Sequence, residues 1–165
     1  MKHIILCCVL AAAVPVMPGA QTPKYGVKVE ADKNVDFAKF KTYSWTQGQP
    51  SAVKEINAKI VEAVDRELSG LGMTKSTSGP GDGMVAYYSL TRTDVHVDAE
   101  PDAQGKRPES SVGTLVVALL DPATRHRMLR LRADKPIETT PGKLEAAIDS
   151  AVTELFAKYP TRRKK

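Results

Sequence analysis

Two apolar stripes at helical spacing bracket a run of extended segments in this chain. The first, Val53, Ile56, Ile60, Val64, Leu68 and Leu71, steps by three and four residues with Lys, Glu and Asp between. The second joins Leu144, Ile148, Ala151, Val152, Leu155, Phe156 and Tyr159. Each describes an amphipathic helix whose oily face needs a surface to cover. At about 2 kcal/mol per large buried side chain, such faces drive folding only by packing against a partner. The segments between them are rich in Val, Tyr, Thr and Leu with two-residue alternation, so the partner is a sheet. The expectation is an α+β two-layer sandwich: a mostly antiparallel sheet of about five or six strands with both helices on one face.

Boundary signals divide the chain further. Tyr25 to Ala31 alternates as a half-buried strand, and Val35 to Trp45 predicts a turn and a second strand. Phe37, Phe40, Tyr43 and the only Trp, Trp45, fall in this second segment and predict a core anchor. The first helix runs from Ser51, read as its cap, to a stop at Gly70 or Gly72. A short strand is expected between Leu71 and Thr77, followed by a glycine-rich loop over Ser78 to Gly83. Met84 to Val97 predicts a long strand, apolar on both faces near Val85 to Leu90 and therefore central or bulged. Ala99 to Ser111 predicts a mobile loop. Thr114 to Leu120 and His126 to Ala133 pair as a hairpin through Asp121-Pro122-Ala123-Thr124. On the return strand, alternation groups Met128 with Arg130 and Arg132. The last helix opens at Thr140-Pro141 and ends at Pro160.

Residues 1–20 read as a secretory leader, with polar Lys2 and His3, an apolar run too short to span a bilayer, and cleavage expected after Ala20. Both cysteines, Cys7 and Cys8, lie inside it, so the mature domain, 21–160, is expected to hold no disulfide and no thiolate site. The 24 Lys and Arg outweigh 19 Asp and Glu only mildly, and four of the cations sit in the tail 161–165 as Arg162, Arg163, Lys164 and Lys165. That tail predicts weak contact with anionic lipid or lipopolysaccharide and no specific nucleic acid.

The strings DFAKFKTYSW, GDGMVAYYSL and GTLVVALLDPATRHRM, closed by LFAKYP, resemble the domain of unknown function 4136 family, from about Tyr25 to Pro160. The resemblance implies a bacterial envelope protein, in a family with many lipoproteins, and attaches no reaction. The family usually shows Trp where this chain has Leu129 and often an acid where it has Ala118. A lipid-attachment cysteine is expected only if the start lies upstream.

Candidate chemistry is sparse. Asp94, His96 and Asp98 alternate along a strand and would share one face, a possible metal set, although a solvated strand end is the simpler reading. His126, between Arg125 and Arg127, reads as a turn histidine and not a general base. Gly79, Gly81 and Gly83 precede a strand, where a phosphate loop would precede a helix, so they read as turn residues. No GxSxG or HExxH occurs. No cofactor is expected. The sequence favours a non-enzymatic binding or structural module in the periplasm over a metal-binding protein or enzyme using the Asp94 set. Its partner would be an envelope component or protein, met by the sheet's free face or by the Ala99 to Ser111 loop.

Overall fold

The computed structural model describes residues 25–140 and 142–161. The leader with Cys7, Cys8 and the Ala20 cleavage point, and the tail cations Arg162 to Lys165, lie outside the described residues. The elements run β1 (Gly26–Ala31), a 3-10 turn (Phe37–Lys39), β2 (Thr42–Trp45), α1 (Lys54–Gly70), β3 (Thr74–Lys75), β4 (Gly83–Val95), β5 (Glu109–Leu120), β6 (Arg127–Pro136) and α2 (Lys143–Phe156). The strands form one six-stranded sheet in the order β1-β6-β5-β4-β2-β3. The β1–β6, β6–β5 and β5–β4 pairs are antiparallel, and β2 lies parallel to both β3 and β4. Chain order explains the mixture: α1 returns the chain so that β3 and β4 start at the same end as β2, whereas β4, β5 and β6 follow one another through hairpins.

One face of the sheet meets the helices. Pairing aligns Val85, Leu119 and Leu129 in one row and Tyr87, Val117 and Leu131 in the next, all buried. Ile60, Ala63, Val64 and Leu68 of α1 and Val152, Leu155 and Phe156 of α2 close over them. The aromatic segment joins this core as expected: Phe37 and Tyr43 are buried, with Phe40 and Trp45 packed alongside. Asp65 of α1 ties β2 to the helix layer, since its Oδ1 accepts from Tyr43 Oη at 2.7 Å and Trp45 Nε1 at 2.8 Å while its Oδ2 meets Lys75 Nζ at 2.9 Å. Gly81, at φ +64°, lies so close to β2 that an added Cβ would stand 3.1 Å from the Tyr43 backbone.

Several local expectations change: α2 stops at Phe156, four residues before Pro160, and β6 runs on past Ala133 to Pro136. Ser51 does not cap α1: its Oγ accepts from Val53 N at 3.3 Å, and Val53 itself is the N-cap residue, with no side-chain cap bond. The long strand ends at Val95 rather than Val97, because the chain turns there: Ala99 N already bonds His96 O. β5 begins at Glu109, five residues before Thr114, since Glu109, Ser110 and Ser111 pair with Val95, Asp94 and Thr93. Backbone pairing carries that arm without an apolar pattern, so the loop is shorter than Ala99 to Ser111. Met128 belongs to the hydrophobic core and not with Arg130 and Arg132, because the β5–β6 register shifts between Leu119 and Leu120.

Candidate functional site

Beyond the two large rows, the helix-facing side of the sheet shrinks. The third row is Ser89, Leu115 and Ala133, and the fourth is Thr91, Gly113 and Lys135. The helices do not sink to follow them. Ile56 and Ile60 of α1 and Leu144, Ala147, Ile148 and Ala151 of α2 therefore stand over a cleft of about 340 Å³. Gly113 keeps its floor low: a Cβ there would come within 3.4 Å of Ile137 Cγ1, another lining residue.

The lining is aliphatic within and polar at its margin, where Ser51, Ser89, Thr91, Lys135, Glu138 and Ser150 contribute. A volume of a few hundred Å³ with apolar walls and few polar groups suits a small ligand or a segment of a longer one. Lys135 Nζ is paired with Glu154, whose carboxylate also accepts from Ser150 Oγ at 3.3 Å. Glu138 Oε1 accepts from Thr140 N at 2.8 Å, and the hydroxyl and amide of Thr140 hold its carboxyl below the usual range. None of these hydroxyls has a histidine partner: among the described residues, His96 bonds Ser110 and His126 faces Asp32. The cleft arrangement can hold and orient apolar matter.

The residues singled out from sequence fall elsewhere. Asp94 is on β4 but committed to Arg92, at 2.8 Å from Nε. His96 lies just past the strand, its Nε2 2.7 Å from Ser110 Oγ, and Asp98 lies in the turn beyond, where strand alternation no longer applies. Among the described residues no three His, Cys, Asp or Glu side chains come together as a metal would need. His126 is exposed after the β5–β6 turn, its Nε2 3.5 Å from Asp32 Oδ2, so an acid joins the two arginines around it. Gly79 and Gly81 take left-handed turn conformations. No described helix is long and apolar enough to cross a membrane.

The far face of the sheet sets a charge network beside buried apolar residues of β4 and β5, among them Ala86, Val112 and Ala118. Asp134, 4% exposed, accepts from Arg92, Arg132 and Thr114 at 2.6 to 2.8 Å. Burial works to raise its pKa, and the hydrogen bonds from Arg132, Thr114 and Arg92 outweigh it, holding the carboxyl well below the usual range. Farther along, Glu30 meets Arg130 at 2.8 Å and Arg127 at 3.2 Å.

A mixed six-stranded sheet under one layer of two helices, with an aliphatic cleft where the layers part, defines a two-layer α+β protein. The chain belongs to the family described as Domain of unknown function (DUF4136), whose model matches residues 27–161. No curated protein matches it. Among solved structures, a PDZ domain protein from Parabacteroides distasonis superimposes with a TM-score of 0.58 at 14% identity, covering 85% of this chain and 36% of that one. This chain thus spans little more than a third of that protein. The PelC dodecamer from Paraburkholderia phytofirmans gives 0.56 at 9% identity, covering 86% of this chain and 100% of that one. At these identities the likeness shows the fold alone.

Proposed function

We propose that this is an exported bacterial envelope protein that works by binding rather than catalysis and holds an apolar ligand segment in the helix–sheet cleft. The observation that carries the reading is the small-residue floor, Ser89, Ala133, Thr91 and Gly113, beneath an aliphatic roof. A purely structural domain would gain from filling that space, because unfilled apolar volume costs stability. Export to the periplasm is supported by the leader-like residues 1–20 and by the family. The cations Arg162 to Lys165 would add attraction to anionic lipid or lipopolysaccharide.

The test is titration with an environment-sensitive apolar dye, 1-anilinonaphthalene-8-sulfonate, followed by competition with single-chain fatty acids. Gly113→Leu projects a side chain into the cleft and should weaken dye binding by about tenfold or more while circular dichroism is unchanged. Undiminished binding in Gly113→Leu, or no binding by the parent protein, would sink the reading. Mass spectrometry of the mature N-terminus tests export: a peptide starting at Gln21 supports a free periplasmic product, and a lipidated Cys7 or Cys8 would move it to a membrane surface.

A further inference from the structure

β4 changes its surroundings halfway along. Up to Ser89 it lies between β5 and the β2 segment, with Thr46 N bonding Val85 O, Gln49 N bonding Tyr87 O and Ser89 N bonding Gln49 O. The neighbouring chain then leaves at Pro50. The odd-numbered residues point their backbone groups to this side, so Thr91, Thr93 and Val95 present N–H and C=O groups that no described backbone group meets. β5 remains paired on the other side as far as Val95.

Sheet edges of this kind are normally blunted by Pro, Lys, a bulge or a covering element. Leu90 to Val95 has no Pro, Lys or bulge: the stretch reads Leu-Thr-Arg-Thr-Asp-Val, its two charges are of opposite sign and bonded to each other, its β4–β5 register is regular, and Leu90 is 44% and Val95 47% exposed. We propose that this edge pairs with the same edge of a second copy, antiparallel about Thr93, to make a two-fold dimer with a continuous sheet. The inference does not rest on the cleft reading, although Leu90 and Thr91 border both.

Charge selects the occupant and the register. With Thr93 opposite Thr93 of the second copy, the outward-pointing residues form hydrogen-bonded pairs, Thr93 with Thr93 and Thr91 with Val95. Arg92 then stands opposite Asp94 of the second copy, and Asp94 opposite Arg92, each cross-strand pair of opposite sign. Sliding the partner by two residues in either direction sets Arg92 against Arg92 or Asp94 against Asp94. Arg92 bonds Asp94, Asp134 and Thr114 within its own chain, so its head lies toward β5 and β6, and the charges of the two copies complement one another across the seam without a direct ion pair.

Sedimentation velocity over a concentration series, with hydrogen exchange at the Thr91, Thr93 and Val95 amides, tests the pairing. A dimer whose formation slows exchange at these three amides is the expected result. Thr93→Pro removes an outward N–H without touching the β5 pairing; it should weaken the dimer by about tenfold or more and leave the monomer's melting temperature close to the parent's. In a Cys7→Ala/Cys8→Ala background, Thr93→Cys should form a disulfide dimer on mild oxidation, since directly paired Cα atoms lie about 5.5 Å apart. Thr91→Cys should not. A parent protein that stays monomeric at its highest soluble concentration overturns the proposal, as does a dimer unchanged by Thr93→Pro. Efficient crosslinking through Thr91→Cys overturns the register, and fast exchange at the three amides in a dimer assigns the contact to another surface.

Discussion

Arg92 and Asp134, 42 residues apart in sequence, meet across β5, with Nη1 2.7 Å from Oδ1 and the Thr114 hydroxyl donating to the same oxygen. Asp134→Ala would strip the acceptor from two guanidiniums and a hydroxyl. The expected loss is about 2 kcal/mol, below the range for fully buried pairs because both arginines reach solvent. The folded carboxyl titrates below its unfolded value of about 3.9, so its contribution is present above that pH and is lost as pH falls toward the folded pKa. Urea unfolding at neutral pH and near pH 3 should show the parent losing stability in acid more steeply than Asp134→Asn.

Asp65→Ala would leave the Tyr43 hydroxyl and the Trp45 indole N–H without their acceptor. A cost of about 2 to 3 kcal/mol is expected, the penalty for unpaired polar groups at a packed interface. Trp45 is the only tryptophan, so a shifted emission maximum in the folded variant would report the broken contact directly. Unchanged emission and stability would refute the anchoring role.

Tyr159 is 3% exposed, packed against Phe37 and Phe156, and its hydroxyl has no hydrogen-bond partner among the described residues. Tyr159→Phe should therefore be neutral or stabilising by up to about 1 kcal/mol in thermal unfolding. Burial pushes the phenol up to about 12. Its unfolded value is about 10, so the neutral phenol's contribution is complete below pH 10 and is lost between there and the folded value. The Phe variant should resist alkali better than the parent.

Gly48 passes over β4 so closely that a Cβ would stand 2.1 Å from Tyr87 O. Gly48→Ala must push the 46–49 segment off the strand and disturb the Gln49 bridge. A loss of about 2 kcal/mol or more in chemical denaturation is expected, against little change for Gly105→Ala beyond its turn strain, where the Cβ meets nothing.

The two helical stripes were legible because each repeats over several turns, and Val152, Leu155, Phe156 and Tyr159 all reach the core. The aromatic segment was legible for a different reason: clustered rings such as Phe37 and Tyr43 carry large apolar surfaces that favour burial. The cleft was not legible. Its floor depends on Ser89, Gly113, Ala133 and Lys135 lying beside one another, a matter of register among β4, β5 and β6. Ala133 read as the end of a strand, and Gly113 fell just before the strand expected from Thr114. The Asp94, His96 and Asp98 reading assumed an extended chain through residue 98, but the turn begins after Val95.

Local periodicity thus determined which residues form helices and strands and which faces they bury, because burial of a repeating apolar face depends only on spacing along the chain. Tertiary structure decided where the layers part and where β4 becomes an edge. Those follow from which strand lies beside which and where a neighbour stops, and such pairings join residues too distant in sequence for any local pattern to encode.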